Sequence, residues 1–282
     1  MAIREQLQRL VDQMPDPDGR GMYTTDIDQG KIEKAVAEMA QGGKEYLLGL
    51  TEMLGEPGSV EDAKPHYALH CVVNHALTTS NEKQRKDCCE VLASQLGNEK
   101  LSPHNRSYLC QELQWAGRDE ACAALGKALL DADLTDAAAT ALAAIGGERA
   151  ASQLRAAAGK AQGKALLNLI DALAALADPK SADVFKKAMQ SKDRETRIAA
   201  AVGLAELGSA EAAEPLLKLS DQASGWERTQ TTKACLVLAE QLAAAGKKDD
   251  AKRIYERLNK SRSGDNEQHI REAAQRGLAA IA

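Results

Sequence analysis

One apolar register recurs five times along this chain and constrains its fold more than any other feature. Leu125, Leu154, Phe185, Leu216 and Ile254 each stand eight residues after a small residue that ends a helical pattern. Those small residues are Gly117, Gly146, Ala177, Gly208 and Gly246, with spacings of 29, 31, 31 and 38. Five residues after them come Cys122, Ala151, Ala182, Ala213 and Ala251, and four before them Leu113, Leu142, Leu173, Leu204 and Leu242. A period in this range with two apolar stripes per unit is the mark of stacked helix pairs. Such a pair cannot bury its apolar face alone, so each must stack on the next. The expected fold is an all-α, right-handed α-solenoid.

Composition agrees. The hydrophobic share of 44% leans on alanine, the best helix former, while aromatic residues, which build sandwich and barrel cores, make up 3%. A chain of 282 residues approaches the limit of one compact core, a limit that a solenoid escapes. The net charge of −5 argues against general nucleic-acid binding, which needs a clustered basic footprint. No apolar stretch is long enough to predict a membrane span. The opening MAIREQLQRLVDQ carries Arg4, Glu5 and Arg9 and lacks the apolar run of a secretory signal. The chain as written is expected in the cytoplasm, or exported if a native signal has been removed. None of the six cysteines falls in a C-x-x-C pair, which argues against a zinc or thioredoxin-like motif. Cys110, Cys122 and Cys235 stand where neighbouring repeats carry small residues, and read as buried thiols acting as small hydrophobes.

The pattern divides the chain into residues 1–62, a diverged cap with the first helix pair and a long loop, and residues 63–282, the solenoid of about six units. The two are expected to form one continuous domain. The segment PDPDGRGMYTTDIDQG is expected to be a loop that exposes Met22 and Tyr23, and its Asp16, Asp18, Asp26 and Asp28 lack calcium-loop spacing. Gly117, Gly146, Gly208 and Gly246 are expected to close first helices in a left-handed conformation. Asp193 and Ser209 are expected N-caps, and Pro103 and Pro179 fit a first helical turn. The last helix, over 266–281, matches the first helix of an unfinished pair.

From Asp193, the run DRETRIAAAVGLAELGSAEAAEPLL resembles the HEAT repeat in its shorter bacterial form, also found in phycobilin lyases. The resemblance implies an Asp opening the first helix, an Arg one turn later, an Ala pair, a Leu-Gly end and a Pro-Leu-Leu core in the second helix. The other repeats keep the apolar register but not the Asp and Arg. GGKEYLLGLTEMLGEPG, AKPHYALHCVVNHAL and LCQELQWAGRDEACAAL are similar to the HEAT region of bacterial multidomain proteins. In these a jelly-roll domain implicated in sugar processing often follows. No residue of such a domain is present in this chain, so its glycoside chemistry is not carried over.

Candidate sites are few. His66 and His70 share a helix face at a spacing that zinc sites use, but a third ligand is missing, and no metal or other cofactor is expected. No His is followed by Glu, unlike the iron-ligand pairs of HEAT-repeat deoxyhypusine hydroxylases. The nucleophile-elbow, P-loop and dinucleotide motifs are missing from the sequence, and Trp115 and Trp226 lie in different repeats. The sharper feature is a ladder of basic residues on second helices: Lys127, Arg155, Lys186, Lys187 and Lys218. Equivalent positions on packed helices line up across a stack, so these five are expected to form a basic strip on the concave face. The expected function is a non-enzymatic scaffold that binds another protein there. An accessory module of a larger, sugar-processing enzyme, or a lyase-like holder of a chromophore, is the alternative.

Overall fold

A computed structural model describes residues 2–18, 27–56 and 59–282. Among them are sixteen α-helices and no strand, as the register predicts. Met22, Tyr23 and Asp26 of the long loop lie outside the described residues. The contacts group the chain into two compact units, one up to Gln153 and one from Leu154.

In the first unit, α1 (Ala2–Val11) packs on α2 (Gln29–Gln41) and α3 (Gly43–Met53). Asp28 caps α2, its Oδ1 accepting from Lys31 N at 3.0 Å. Next come α4 (Val60–Thr78), α5 (Glu82–Gln95), α6 (Pro103–Ala116), α7 (Cys122–Ala128) and α8 (Thr135–Ile145). The first helices α2, α4, α6 and α8 pack in succession, and so do the second helices α3, α5 and α7. The division between the units falls within α9 (Gly147–Ala158).

The second unit continues with α10 (Gly163–Leu176), α11 (Ala182–Ala188), α12 (Arg194–Glu206), α13 (Ala213–Gln222), α14 (Gly225–Ala244), α15 (Lys248–Ser261) and α16 (Gln268–Ile281). Its first helices α10, α12, α14 and α16 again pack in succession. Both units are thus α-solenoid stacks.

The two leucine-rich stripes lie in the core as expected. Leu113, Leu142, Leu173, Leu204 and Leu242 are buried, as are Leu125, Leu154, Phe185, Leu216 and Ile254. The alanine stripe departs from the expectation. Ala182 and Ala213 are only half-buried, and the residues before them, Ser181 and Ala212, are buried instead. Both second helices open with a 3₁₀ turn, Pro179–Ser181 and Ala210–Ala212. The second helix α7 also opens with a 3₁₀ turn, Asp119–Ala121, yet buries both Ala121 and Cys122, so such a turn does not by itself move the buried position.

The helix ends also need a correction. Gly146, Gly208 and Gly246 have φ of 73°, 61° and 76°, as their closing role requires. Gly117 does not share it, being extended at φ −69° and ψ 148°. A Cβ there would overlap the Leu113 carbonyl oxygen and come within 2.8 Å of Ile145 Cδ1. Gly117 is required by close packing, not by handedness. Among the five anchors, Ala177 adopts the left-handed conformation without being glycine, at φ 47° and ψ 38°; elsewhere Ser80 does so at φ 52°.

Asp193 caps α12, its Oδ2 accepting from Thr196 N at 2.7 Å. Arg197, four residues past that cap, donates to the carbonyls of Ser191 at 2.8 Å and Lys192 at 3.0 Å and pairs with Glu227. The same helical position recurs without the Asp. Arg228, four past the Ser224 cap, donates to Ser220 O at 3.1 Å and pairs with Glu267 at 2.7 Å. Arg271, four past Glu267, donates to the carbonyls of Arg262 at 2.6 Å and Gly264 at 2.9 Å. The expectation that this arginine is confined to the Asp193 repeat is therefore too narrow. In three successive first helices it fastens the preceding connector or, for Arg228, the last turn of the preceding second helix.

Candidate functional site

Second helices present their outer faces in both units, and the five expected strip residues meet different surroundings there. Lys127 on α7 is exposed and lines a hollow between α5 and α7. Glu90, Glu99, Glu120 and Asp131 line the same hollow, so it is not a basic place. Arg155 departs from the expectation of an open cation. Its guanidinium is bound to Asp178, which also accepts from Ser181 Oγ at 2.8 Å. The Arg155 side chain is 17% exposed. The pair ties α9 to the connector before α11 and acts as a strut. Burial pushes the Asp178 carboxyl up, but the Ser181 and Arg155 hydrogen bonds prevail and hold it below the usual carboxylate range.

Lys186, Lys187 and Lys218 are brought together by the second unit. Lys187 lines a cleft between the end of α9 and α11, beside Lys160, Leu166 and Val184. Lys186 lines the next cleft, between α11 and α13, with Lys218, Met189 and Leu219. Adjacent on α11, the two lysines thus serve opposite sides of that short helix. Lys186 approaches the exposed Asp183 at 3.6 Å. Among the described residues, Lys160, Lys187 and Lys218 make no ion pair, and all three are exposed. Lys160 escaped the ladder because it lies in the turn after α9, outside the positional count. Its signal in the sequence is a cation flanked by Gly159 and Gly163 at a helix end.

His66 and His70 do not converge on a common point. His66 Nδ1 meets Asp62 Oδ1 at 2.8 Å, and its ring lies 4.3 Å from that of Tyr108. His70 Nδ1 meets Glu112 Oε1 at 3.0 Å. That hydrogen bond raises the His70 pKa against the opposing effect of burial. Tyr108 donates to His66 O at 2.8 Å, and burial pushes its phenol well up. Among the described residues no cluster of three or more His, Cys, Asp or Glu has the geometry to hold a metal. Glu112, Asn105 and Tyr108 form a polar seam along α4 and α6. Glu112 could have been found from the register, because five residues before their anchors the next three repeats carry Ala141, Ala172 and Gly203. No helix of the described residues is long and apolar enough to cross a membrane.

Residues 157–236, the span from the end of α9 into α14, match the family model described as HEAT repeats. The chain has no significant match among curated proteins. Three solved structures show its distant likenesses. An engineered protein is 19% identical over 98% of this chain and 78% of its own, with a TM-score of 0.43. Human deoxyhypusine hydroxylase in complex with glycerol is 13% identical over 100% and 97%, with a TM-score of 0.33. The CpcE and CpcF complex of phycocyanin lyase from Nostoc sp. PCC7120 is 16% identical over 98% and 94%, with a TM-score of 0.35. At this level of likeness nothing about ligand or activity transfers.

Proposed function

We propose that this chain, a HEAT-repeat protein, is a non-enzymatic scaffold that holds an acidic protein partner on the second-helix face of its second unit. The observation that carries the reading is the exposed, unpaired set Lys160, Lys187 and Lys218, spread over two adjoining clefts of a protein whose net charge is −5. A solenoid offers an extended surface of repeated clefts, and a local positive field on an acidic protein selects for negative partners. Lys186 belongs to the same set, its partner Asp183 being solvent-exposed. Lys127 is a separate element of the first unit, and Arg155 supports the clefts without lining them. No catalytic motif in the sequence competes with this reading.

The test is affinity capture from lysate at low ionic strength, with the wild type and the Lys187→Glu/Lys218→Glu variant as baits. Charge contacts at the rim of an interface act mainly on association rate and salt dependence. The wild type should retain an acidic protein that the variant loses and that high salt releases. If both baits retain the same proteins, the basic clefts are solvated surface and the reading falls.

A further inference from the structure

The two clefts are consecutive, share α11 as a common wall and have the same make-up. Each is lined by two lysines and by apolar side chains that are half-buried or buried. Leu166 and Val184 line the first, Met189 and Leu219 the second. Glu214 is the one carboxylate among their lining residues. A ligand crossing both therefore meets apolar surface twice, with positive charge before, between and after. Packed helices lie about 8–10 Å apart, which sets the distance between equivalent points of successive clefts.

That distance selects a backbone conformation. A polyproline-II chain rises about 3.1 Å per residue with three residues per turn, so residues three apart point the same way about 9.3 Å apart. A β-strand returns to the same face after about 6.6 Å, which falls short. An α-helix advances about 5.4 Å per turn, so one turn falls short and two turns, about 10.8 Å, overshoot. We propose that the two clefts bind an extended, polyproline-II-like acidic segment of the partner. It sets one apolar side chain in each cleft, three residues apart. Its intervening carboxylates meet Lys186 and Lys187 on α11, and its flanking ones meet Lys160 and Lys218. This inference rests on the acidic-partner reading and adds to it the segment's conformation and spacing.

The experiment uses the full chain and three labelled peptides, read by fluorescence anisotropy at low ionic strength. The first repeats Leu-Glu-Pro, the second has the same composition with its leucines out of the three-residue period, and the third is the first with Lys in place of Glu. The first should bind at least about tenfold tighter than the second, the third should not bind, and Lys187→Glu/Lys218→Glu should weaken the first by at least about tenfold. Circular dichroism should show the variant folded and the bound peptide not helical. Equal binding of the first two peptides, both lost in the variant, overturns the three-residue spacing and leaves the basic-face reading standing. Binding that the variant leaves unchanged overturns both. A peptide that turns helical on binding, or an oligothymidylate that binds more tightly than the first peptide, overturns the proposal, as does no binding by any peptide. In that last case the capture experiment alone decides the basic-face reading.

Discussion

Arg197 grips Glu227 through two hydrogen bonds, Nε to Oε1 at 2.5 Å and Nη2 to Oε2 at 2.7 Å, joining α12 to the first turn of α14. Glu227 is 8% exposed, so the guanidinium is what makes its burial tolerable. Planar two-point contacts of this kind are stronger and more directional than single ones.

Removing the arginine strands a buried carboxylate and frees the Ser191 and Lys192 carbonyls. Arg197→Ala should cost about 3 kcal/mol of stability. Arg197→Lys should recover only part of it, because an ammonium cannot make the same fork. Urea unfolding followed by circular dichroism measures both. A loss below about 0.5 kcal/mol for the alanine variant, the scatter of ordinary surface substitutions, would show that the pair is incidental.

The same ion pairs predict acid sensitivity. The Arg197 hydrogen bond lowers the Glu227 pKa and the Arg228 hydrogen bond lowers that of Glu267. In Asp221 burial acts upward, but the hydrogen bonds from Arg262 and Arg257 bring the carboxyl below its usual range. A carboxyl depressed in the folded state contributes stability above its unfolded pKa, about 4, and loses it as pH falls through the folded value. Stability should therefore drop below about pH 4. Denaturation midpoints taken between neutral and acid pH should fall more gently for Arg197→Ala than for the wild type. Parallel curves would contradict the linkage.

Two helix ends should respond in opposite directions to swaps of alanine and glycine. Ala177 is held at φ 47°, where an L side chain costs about 1 kcal/mol, so Ala177→Gly should raise stability by up to about that amount. Gly117→Ala should lower it by about 1–3 kcal/mol, because the added methyl overpacks Ile145 and the Leu113 carbonyl. Thermal melts of the two single variants measure the contrast. A destabilised Ala177→Gly would mean the left-handed end is not strained.

His70 should make stability depend on pH near neutrality. Its pKa is raised in the fold by the hydrogen bond to Glu112. The contribution is fully present below the unfolded histidine value, about 6.5, and is lost as pH rises through the higher folded value. The His70 side chain is 54% exposed, and solvent screening keeps the effect small. The difference in melting temperature between the wild type and His70→Gln should be largest at mildly acid pH and vanish on the alkaline side. A difference independent of pH would assign His70 a packing role only.

What could be read from the sequence depended on whether a residue's role is set within its own repeat. Leu204 and Phe185 were legible because a buried helical face repeats every few residues whatever surrounds it. Ser181 and Ala212 were not, because at those two helix starts the buried position falls one residue before the register without any change in composition. Gly117 carries the expected letter for a different reason, since a Cβ there would meet both the Leu113 carbonyl of its own helix and Ile145 of the next repeat. Arg155 was misplaced for the same cause. Its register position lies on the second-helix face, but Asp178, reached only across the stack, holds its guanidinium. Lys160 has no place in a helical register because it lies in the turn just past α9.

The arginines at the starts of α12, α14 and α16 give the second unit two unlike margins. On one, the connectors at Ser191–Lys192 and Arg262–Gly264 and the last turn of α13 at Ser220–Asp221 have carbonyls engaged by Arg197, Arg228 and Arg271. On the other, the turns at Leu207–Ser209 and Ala245–Lys247 hold their shape through a left-handed glycine and local backbone bonds. Extra residues on the first margin would pull carbonyls away from half-buried guanidinium groups, whereas loops closed only by themselves lengthen at little cost. New sequence should be tolerated better at Leu207–Ser209 and Ala245–Lys247 than at the arginine-held segments, with the Ala177–Asp178 turn, held by Arg155, the exception on its side.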